Sequence, residues 1–188
     1  RPNARGGHTA TRRDDERAGR TRRTRAMPLL DSSKRRRART RGTTPQAGPD
    51  APVLYWMSRD QRIDDNWALL RACDVAEAHG APVVIVCNVR ATCLGAGARQ
   101  CGFMLRGLRE LERNAAARNV GFALTRGDDP ATAIDAFAKK IGSKTIVCDF
   151  SPLRDELRWR KEFAALCDTR SAHFEECDAH NVVPCWEA

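Results

Sequence analysis

From residue 53 onward the chain alternates between short runs of β-forming apolar residues and longer stretches with helical periodicity, and this alternation constrains the fold more than any other feature. Val53-Leu54-Tyr55-Trp56-Met57 is the first run, and the polar loop Ser58-Arg59-Asp60-Gln61-Arg62 follows it. Asp64 or Asp65 can cap the next segment, where Trp67, Leu70, Cys73 and Ala76 recur at helical spacing until Gly80. Pro82 opens Val83-Val84-Ile85-Val86-Cys87, apolar on both faces as a central parallel strand is. A longer helix from about residue 100 carries Met104, Leu108, Leu111 and Ala115 on one stripe. The pattern continues with a strand at 120–124 and a helix from Pro130 bearing Ile134, Phe137 and Ile141. The strand Thr145-Ile146-Val147-Cys148, a helix from Pro152 to about Leu166, and a last strand at about 172–177 complete it.

Parallel neighbours need connections of helix length, so this order predicts an α/β fold: a doubly wound, mostly parallel five-stranded Rossmann-like sheet with helices on both faces. Ligands of such sheets sit beyond the carboxyl ends of the strands, at the point where the winding reverses. The loops at 58–62, 88–102, 125–130, 149–154 and 178–186 are therefore the place to look for function.

Charge divides the chain. Residues 1–50 hold 15 Lys and Arg against 5 Asp and Glu, whereas residues 51–188 hold 18 against 19, so the net +9 of the 188-residue chain belongs to its beginning. Met27, Leu29 and Leu30 are the only large hydrophobes of residues 1–50, too few to offset the ~1–2 kcal/mol per residue that ordering a backbone costs. Residues 1–50 are thus expected to be a disordered Arg-rich tail, and residues 51–188 the folded domain. Ser33-Lys34-Arg35-Arg36-Arg37-Ala38-Arg39 resembles a nuclear import signal, and the wider Arg- and Thr-rich composition equally suits a chloroplast or mitochondrial transit segment. A solvated tail with general phosphate affinity is the third reading. The chain begins with Arg, so position 1 is not read as the natural start. No apolar run approaches the roughly 20 residues of a membrane span. Eight cysteines without a Cys-x-x-Cys pair, two of them inside apolar runs, point to buried thiols in an intracellular, reducing compartment.

The motif search excludes more than it finds. Leu94-Gly95-Ala96-Gly97-Ala98-Arg99-Gln100 misses the dinucleotide fingerprint, because Gln100 stands where a third glycine lets helix and strand approach. His173, Cys177, His180 and Cys185 match no common zinc spacing, and buried thiols account for them better, so no metal is expected. No nucleophile stands with a base, which argues against an independent hydrolase and leaves no catalytic residue to name. Asp149-Phe150-Ser151-Pro152-Leu153-Arg154 is the most informative loop. Helix initiation explains Ser151 and Pro152. It does not explain an acid, an aromatic ring and a guanidinium at a strand exit, which suit a planar ligand or an interface between domains.

Five collinear blocks carry a resemblance. Tyr55 to Arg62, Asp65-Asn66-Trp67-Ala68-Leu69, Gly102 to Leu108, Asp149 to Arg154 and Asp178 to Trp186 together resemble the amino-terminal domain of class II cyclobutane pyrimidine dimer DNA photolyases, in the photolyase and cryptochrome family. The resemblance covers about residues 52–187, and Arg59-Asp60-Gln61-Arg62 favours class II over the microbial class I enzymes.

This resemblance implies a two-domain flavoprotein lyase that repairs DNA. A helical carboxy-terminal domain would hold FAD and the UV-damaged DNA, and photoexcited reduced flavin would split a flipped-out dimer. The present chain looks like the α/β domain alone, which in many members carries an antenna chromophore, a deazaflavin or a folate. The implied partners are the FAD domain and damaged DNA, with no membrane and a monomeric state; the chain alone is expected to be inactive. The other readings are a free-standing, non-catalytic chromophore- or nucleotide-binding module and a fragment of a cryptochrome-type blue-light receptor. Ser58, Arg59, Asp149, Phe150, Ser151 and Arg154 are the candidate antenna contacts, with Asp178, His180 and Asn181 as interface or chromophore candidates. Trp56, Trp67, Trp159 and Trp186 are assigned to packing.

Overall fold

The computed structural model describes residues 37–91 and 95–187, with elements in the order β1 (Ala38–Arg41), β2 (Val53–Trp56), α1 (Trp67–His79), β3 (Val83–Val89), α2 (Ala98–Ala117), β4 (Gly121–Arg126), α3 (Pro130–Lys140), β5 (Thr145–Asp149), α4 (Arg154–Thr169) and β6 (His173–Cys177). They form a six-stranded sheet in the order β1-β6-β5-β2-β3-β4. Every pairing is parallel except β1 with β6. The winding leaves β2, runs out through β3 to β4, and returns to β5 on the other side of β2. The switch point therefore lies between β2 and β5.

Side-chain alternation along β2 shows why the central runs read as continuously apolar. Val53, Tyr55 and Met57 enter one core with α1 and α2, whereas Leu54 and Trp56 enter a second with α3 and α4. The second core is centred on Phe163, whose ring meets Trp56 edge-on at 5.3 Å and Phe174 at 5.1 Å. Helices α1 and α3 start at side-chain caps, Asn66 accepting from the Leu69 amide and Asp129 from the Ala131 amide. Gly80 ends α1 at φ 62°, a left-handed conformation that glycine adopts without penalty.

Four expectations need correction. The sheet has six strands rather than five, because residues 37–50 do not belong to a disordered tail; residues 1–36 lie outside the described residues. Ala38–Arg41 pairs along the edge of β6, with Ala38 opposite Cys177 and Arg41 opposite Phe174. Polar contacts and not buried hydrophobes hold this segment, so a count of hydrophobes could not detect it. The Arg41 Nε lies 3.2 Å from Glu176, His173 bonds the Thr43 carbonyl, and the Gln46 amide donates to Thr145 Oγ1 at 2.8 Å. The helix after β5 starts at Arg154, not Pro152, with Leu153 at its cap, while Ser151 Oγ accepts from the Leu153 amide. The cap of α1 is Asn66, not Asp64 or Asp65, since Asp65 takes the left-handed conformation at φ 52° that turns the chain into the helix.

Strand β6 lies inside the sheet yet carries a buried imidazole, His173, and two buried carboxyl groups, Glu175 and Glu176. Each carboxylate is compensated from its own face of the sheet. Glu175 receives Arg71 at 2.7 Å and His173 at 3.2 Å; Glu176 receives Arg160 at 2.8 Å from α4.

Candidate functional site

The switch point is built around one carboxylate. Asp149 ends β5 fully buried, and its Oδ2 accepts the backbone amides of Ser58 at 3.0 Å, Arg59 at 2.8 Å and Asp60 at 3.2 Å. Its Oδ1 accepts the Tyr55 hydroxyl at 2.6 Å. Burial pushes the Asp149 carboxyl up from the usual aspartate value of 3.8, against the opposing effect of these hydrogen bonds. Burial, followed by the charge of Asp149, also raises the Tyr55 phenol well above its ordinary range. Asn66 extends the network. Its Nδ2 donates to Tyr55 Oη at 2.9 Å and to the carbonyls of Asp60 at 2.9 Å and Arg62 at 3.0 Å, while its Oδ1 caps α1. Ser58, Arg59 and Asp149 are thus brought together, with Asp149 shaping the exit loop of β2 from beneath.

A second carboxylate does the same after β6. Burial alone would raise Asp178, but hydrogen bonds from Asn181, Cys185 and His180 outweigh it and hold the acid below its ordinary value. Asn181 Nδ2 donates to it at 2.7 Å and the Cys185 amide at 3.0 Å. His180 turns away to Asp60, with its Nε2 3.4 Å from Oδ1. That contact joins the loops after β2 and β6. Phe150 lies edge-on to Trp186 at 5.5 Å and under the Arg160 guanidinium at 5.7 Å. Arg160 also donates to the Ser151 carbonyl, which fixes the buried Ser151. Arg154 stands apart, exposed on the first turn of α4.

Three concavities border the strand-exit loops, one of them, about 400 Å³, between residues 61–65 and α2. A cleft of about 80 Å³ lies between Trp56, Met57, Ser58, Gln61, Asn88, Arg90, Pro130, Glu156 and Trp159. A larger cavity of about 450 Å³ lies over the ends of β3 and β4, among Met104, Leu105, Leu124, Arg126 and their neighbours. Arg90 borders the cleft and the larger cavity, and its guanidinium lies over the Trp159 ring at 4.6 Å. Of the nine residues singled out from sequence, Ser58 alone lines the small cleft and none lines the large cavity. Arg90, Asn88, Glu156 and Trp159 were missed. Asn88-Val89-Arg90, polar groups breaking an apolar strand at its carboxyl end, was the available signal for the first two. Glu156 and Trp159 fall one helical turn apart, a spacing with many ordinary explanations.

Among the described residues no group of three or more His, Cys, Asp and Glu side chains is arranged to hold a metal ion. No helix among them is long and apolar enough to cross a membrane.

The chain has known relatives. A family model described as DNA photolyase matches residues 53–188. A deoxyribodipyrimidine photo-lyase of Arabidopsis thaliana is 47% identical over 137 residues, which is 73% of this chain and 27% of that protein. The deoxyribodipyrimidine photo-lyase of Oryza sativa subsp. japonica is 44% identical over 158 residues, 80% of this chain and 30% of its own length. The chain thus spans less than a third of either plant relative. Among solved structures, a bacterial class III photolyase from Agrobacterium tumefaciens superposes with a TM-score of 0.60 at 20% identity, covering 72% of this chain and 27% of that one. It shares the fold.

Proposed function

The chain belongs to the DNA photolyase family, and from that premise we propose that it forms the amino-terminal α/β domain of a class II deoxyribodipyrimidine photo-lyase acting on cyclobutane pyrimidine dimers. The observation that carries this reading is the continuous family match, which takes in every described strand except β1. Domain and partner follow from it: residues 51–188, with β1 added to their edge, serve a helical FAD-binding domain supplied by polypeptide outside these residues.

FAD itself does not fit the cavity over the ends of β3 and β4. This cavity is lined mainly by apolar side chains, and among the described residues its lining includes no acid to meet a ribose hydroxyl. A smaller antenna chromophore fits better. A volume of about 450 Å³ lies within the roughly 300–1,000 Å³ of small-molecule sites, whereas the 80 Å³ cleft falls below it. Arg90 and Arg126 are the cations at the larger cavity and suit an anionic, planar ligand of the deazaflavin or folate kind. In this reading Ser58, at the small cleft, and Arg59 belong to the β2 exit loop that Asp149 shapes. Phe150, Arg154, His180 and Asn181 form the adjoining surface toward the second domain, with the buried Ser151 and Asp178 holding its loops from beneath.

The test is repair. Joined to the remainder of its coding sequence and loaded with FAD, the protein should remove dimers from DNA in light and not in darkness, while residues 1–188 alone should remove none. Light-driven repair by these residues alone, or none by the longer protein, would overturn the proposal.

A further inference from the structure

Helix α2 carries all its arginines on one side. At 3.6 residues per turn Arg99, Arg106, Arg109 and Arg113 fall within about 80° of arc, opposite the buried Leu108, Leu111 and Ala115. All four are exposed, and no ion pair engages any of them among the described residues. Some cations on other helices are paired, Lys139 with Asp135 at 2.7 Å and Arg158 with Asp155 at 3.5 Å and Glu162 at 3.9 Å, but on no other helix do four unpaired cations share one face among the described residues. Gly102 falls inside the arginine arc and leaves the row unobstructed between Arg99 and Arg106. At 1.5 Å per residue the row is about 21 Å long.

We propose that this face of α2 is a contact surface for the phosphodiester backbone of duplex DNA, supplying affinity without sequence or lesion preference. It deepens the repair reading, since a duplex engaged at one lesion must also be held along its backbone. Arginine without lysine suits phosphate, whose oxygens a guanidinium grips bidentately. A linear row of positive charge matches a linear array of phosphates better than it matches a compact acidic protein surface.

The test uses the full 188-residue chain in the dark with an undamaged duplex of about 20 base pairs, followed by fluorescence anisotropy between 50 and 200 mM salt. Three lost phosphate contacts lower the salt slope by about 2.7, so wild type should lose roughly 40-fold more affinity across that range than R106A/R109A/R113A. A control removing the same charge elsewhere, K144A/R158A/K161A, should keep the wild-type slope. Equal slopes for wild type and the α2 triple, or equal losses in both triples, would overturn the proposal, leaving the binding to residues 1–36 or to net charge. So would loss of polyglutamate binding with duplex binding intact. If the triple fails to melt like wild type, the single variant R106Q should still lower the slope by about 1. Repair is a separate measurement, so either proposal can fail while the other stands.

Discussion

The Tyr55 hydroxyl donates to Asp149 Oδ1 at 2.6 Å across 94 residues of sequence, joining the two strands that flank the switch point. The bond sits in a buried network that also holds the Asn66 side chain and the backbone amides of residues 58–60, so its removal has consequences beyond one pair. Tyr55→Phe should cost about 1–2 kcal/mol. Asp149→Ala leaves the amides of residues 58–60 and the phenol without their acceptor and should cost about 3–5 kcal/mol in urea unfolding. A loss below about 1 kcal/mol for Asp149→Ala would mean that the loop does not depend on this carboxylate.

The β1 segment offers a truncation test. Deleting residues 1–36 should leave the unfolding midpoint where it is. Deleting residues 1–46 also removes the β1 ladder, the Arg41 contact to Glu176 and the Thr43 carbonyl at His173, and should destabilise by about 2–4 kcal/mol. Equal midpoints for the two truncations would remove β1 from the folded unit. The same pair separates addressing from folding, because a fluorescent fusion lacking only residues 1–36 loses most of the basic run without losing the strand.

Acid sensitivity should centre on Glu175. Burial alone would raise this acid, but His173 and Arg71 outweigh it and hold the folded value below the ordinary 4.5. The stabilisation is therefore complete above pH 4.5 and is lost as pH falls through the lower folded value. Asp149, shifted upward, works with the opposite sign and favours the folded state as pH falls into the window above 3.8. Glu175→Gln should flatten the acid limb of a stability-against-pH curve while lowering stability at pH 7. An unchanged acid limb would count against this assignment.

Thiol labelling should divide the described cysteines sharply. Burial pushes Cys87, Cys167 and Cys177 up to about 12 and Cys148 well above its ordinary value. These four should react with iodoacetamide only on unfolding, whereas exposed Cys185 and half-buried Cys101 should react in the native protein. Mass spectrometry of labelled peptides reads the order directly.

Antenna binding should depend on the residues around Arg90. In a deazaflavin titration followed by fluorescence, Arg90→Ala and Arg126→Ala should each weaken affinity by at least about tenfold, the loss expected when a cation facing a planar anionic ligand is removed. Arg154→Ala should have little effect, since Arg154 is exposed and lines none of the three concavities. A loss confined to Arg154→Ala would reverse the assignment.

Alternating period and apolar runs were enough to specify the five parallel strands, their helices and the loops at the strands' carboxyl ends. These are local properties: the burial of a strand on both faces is written into Val83 to Cys87 before any partner is known. The edge strand β1 was hidden because Ala38–Arg41 carries no apolar signature; its stabilisation comes from groups on β6 more than 130 residues away. The site was hidden in the same way. Asp149 could be singled out as unexplained by helix initiation, yet only the winding of the sheet turns it inward beneath the β2 loop, where its oxygens are consumed by backbone amides. Arg90 and Trp159, 69 positions apart, become a stacked pair only when β3 and α4 meet across β2 and β5. Which residues shape the cavity and which line it is a matter of long-range geometry, and no local pattern encodes it.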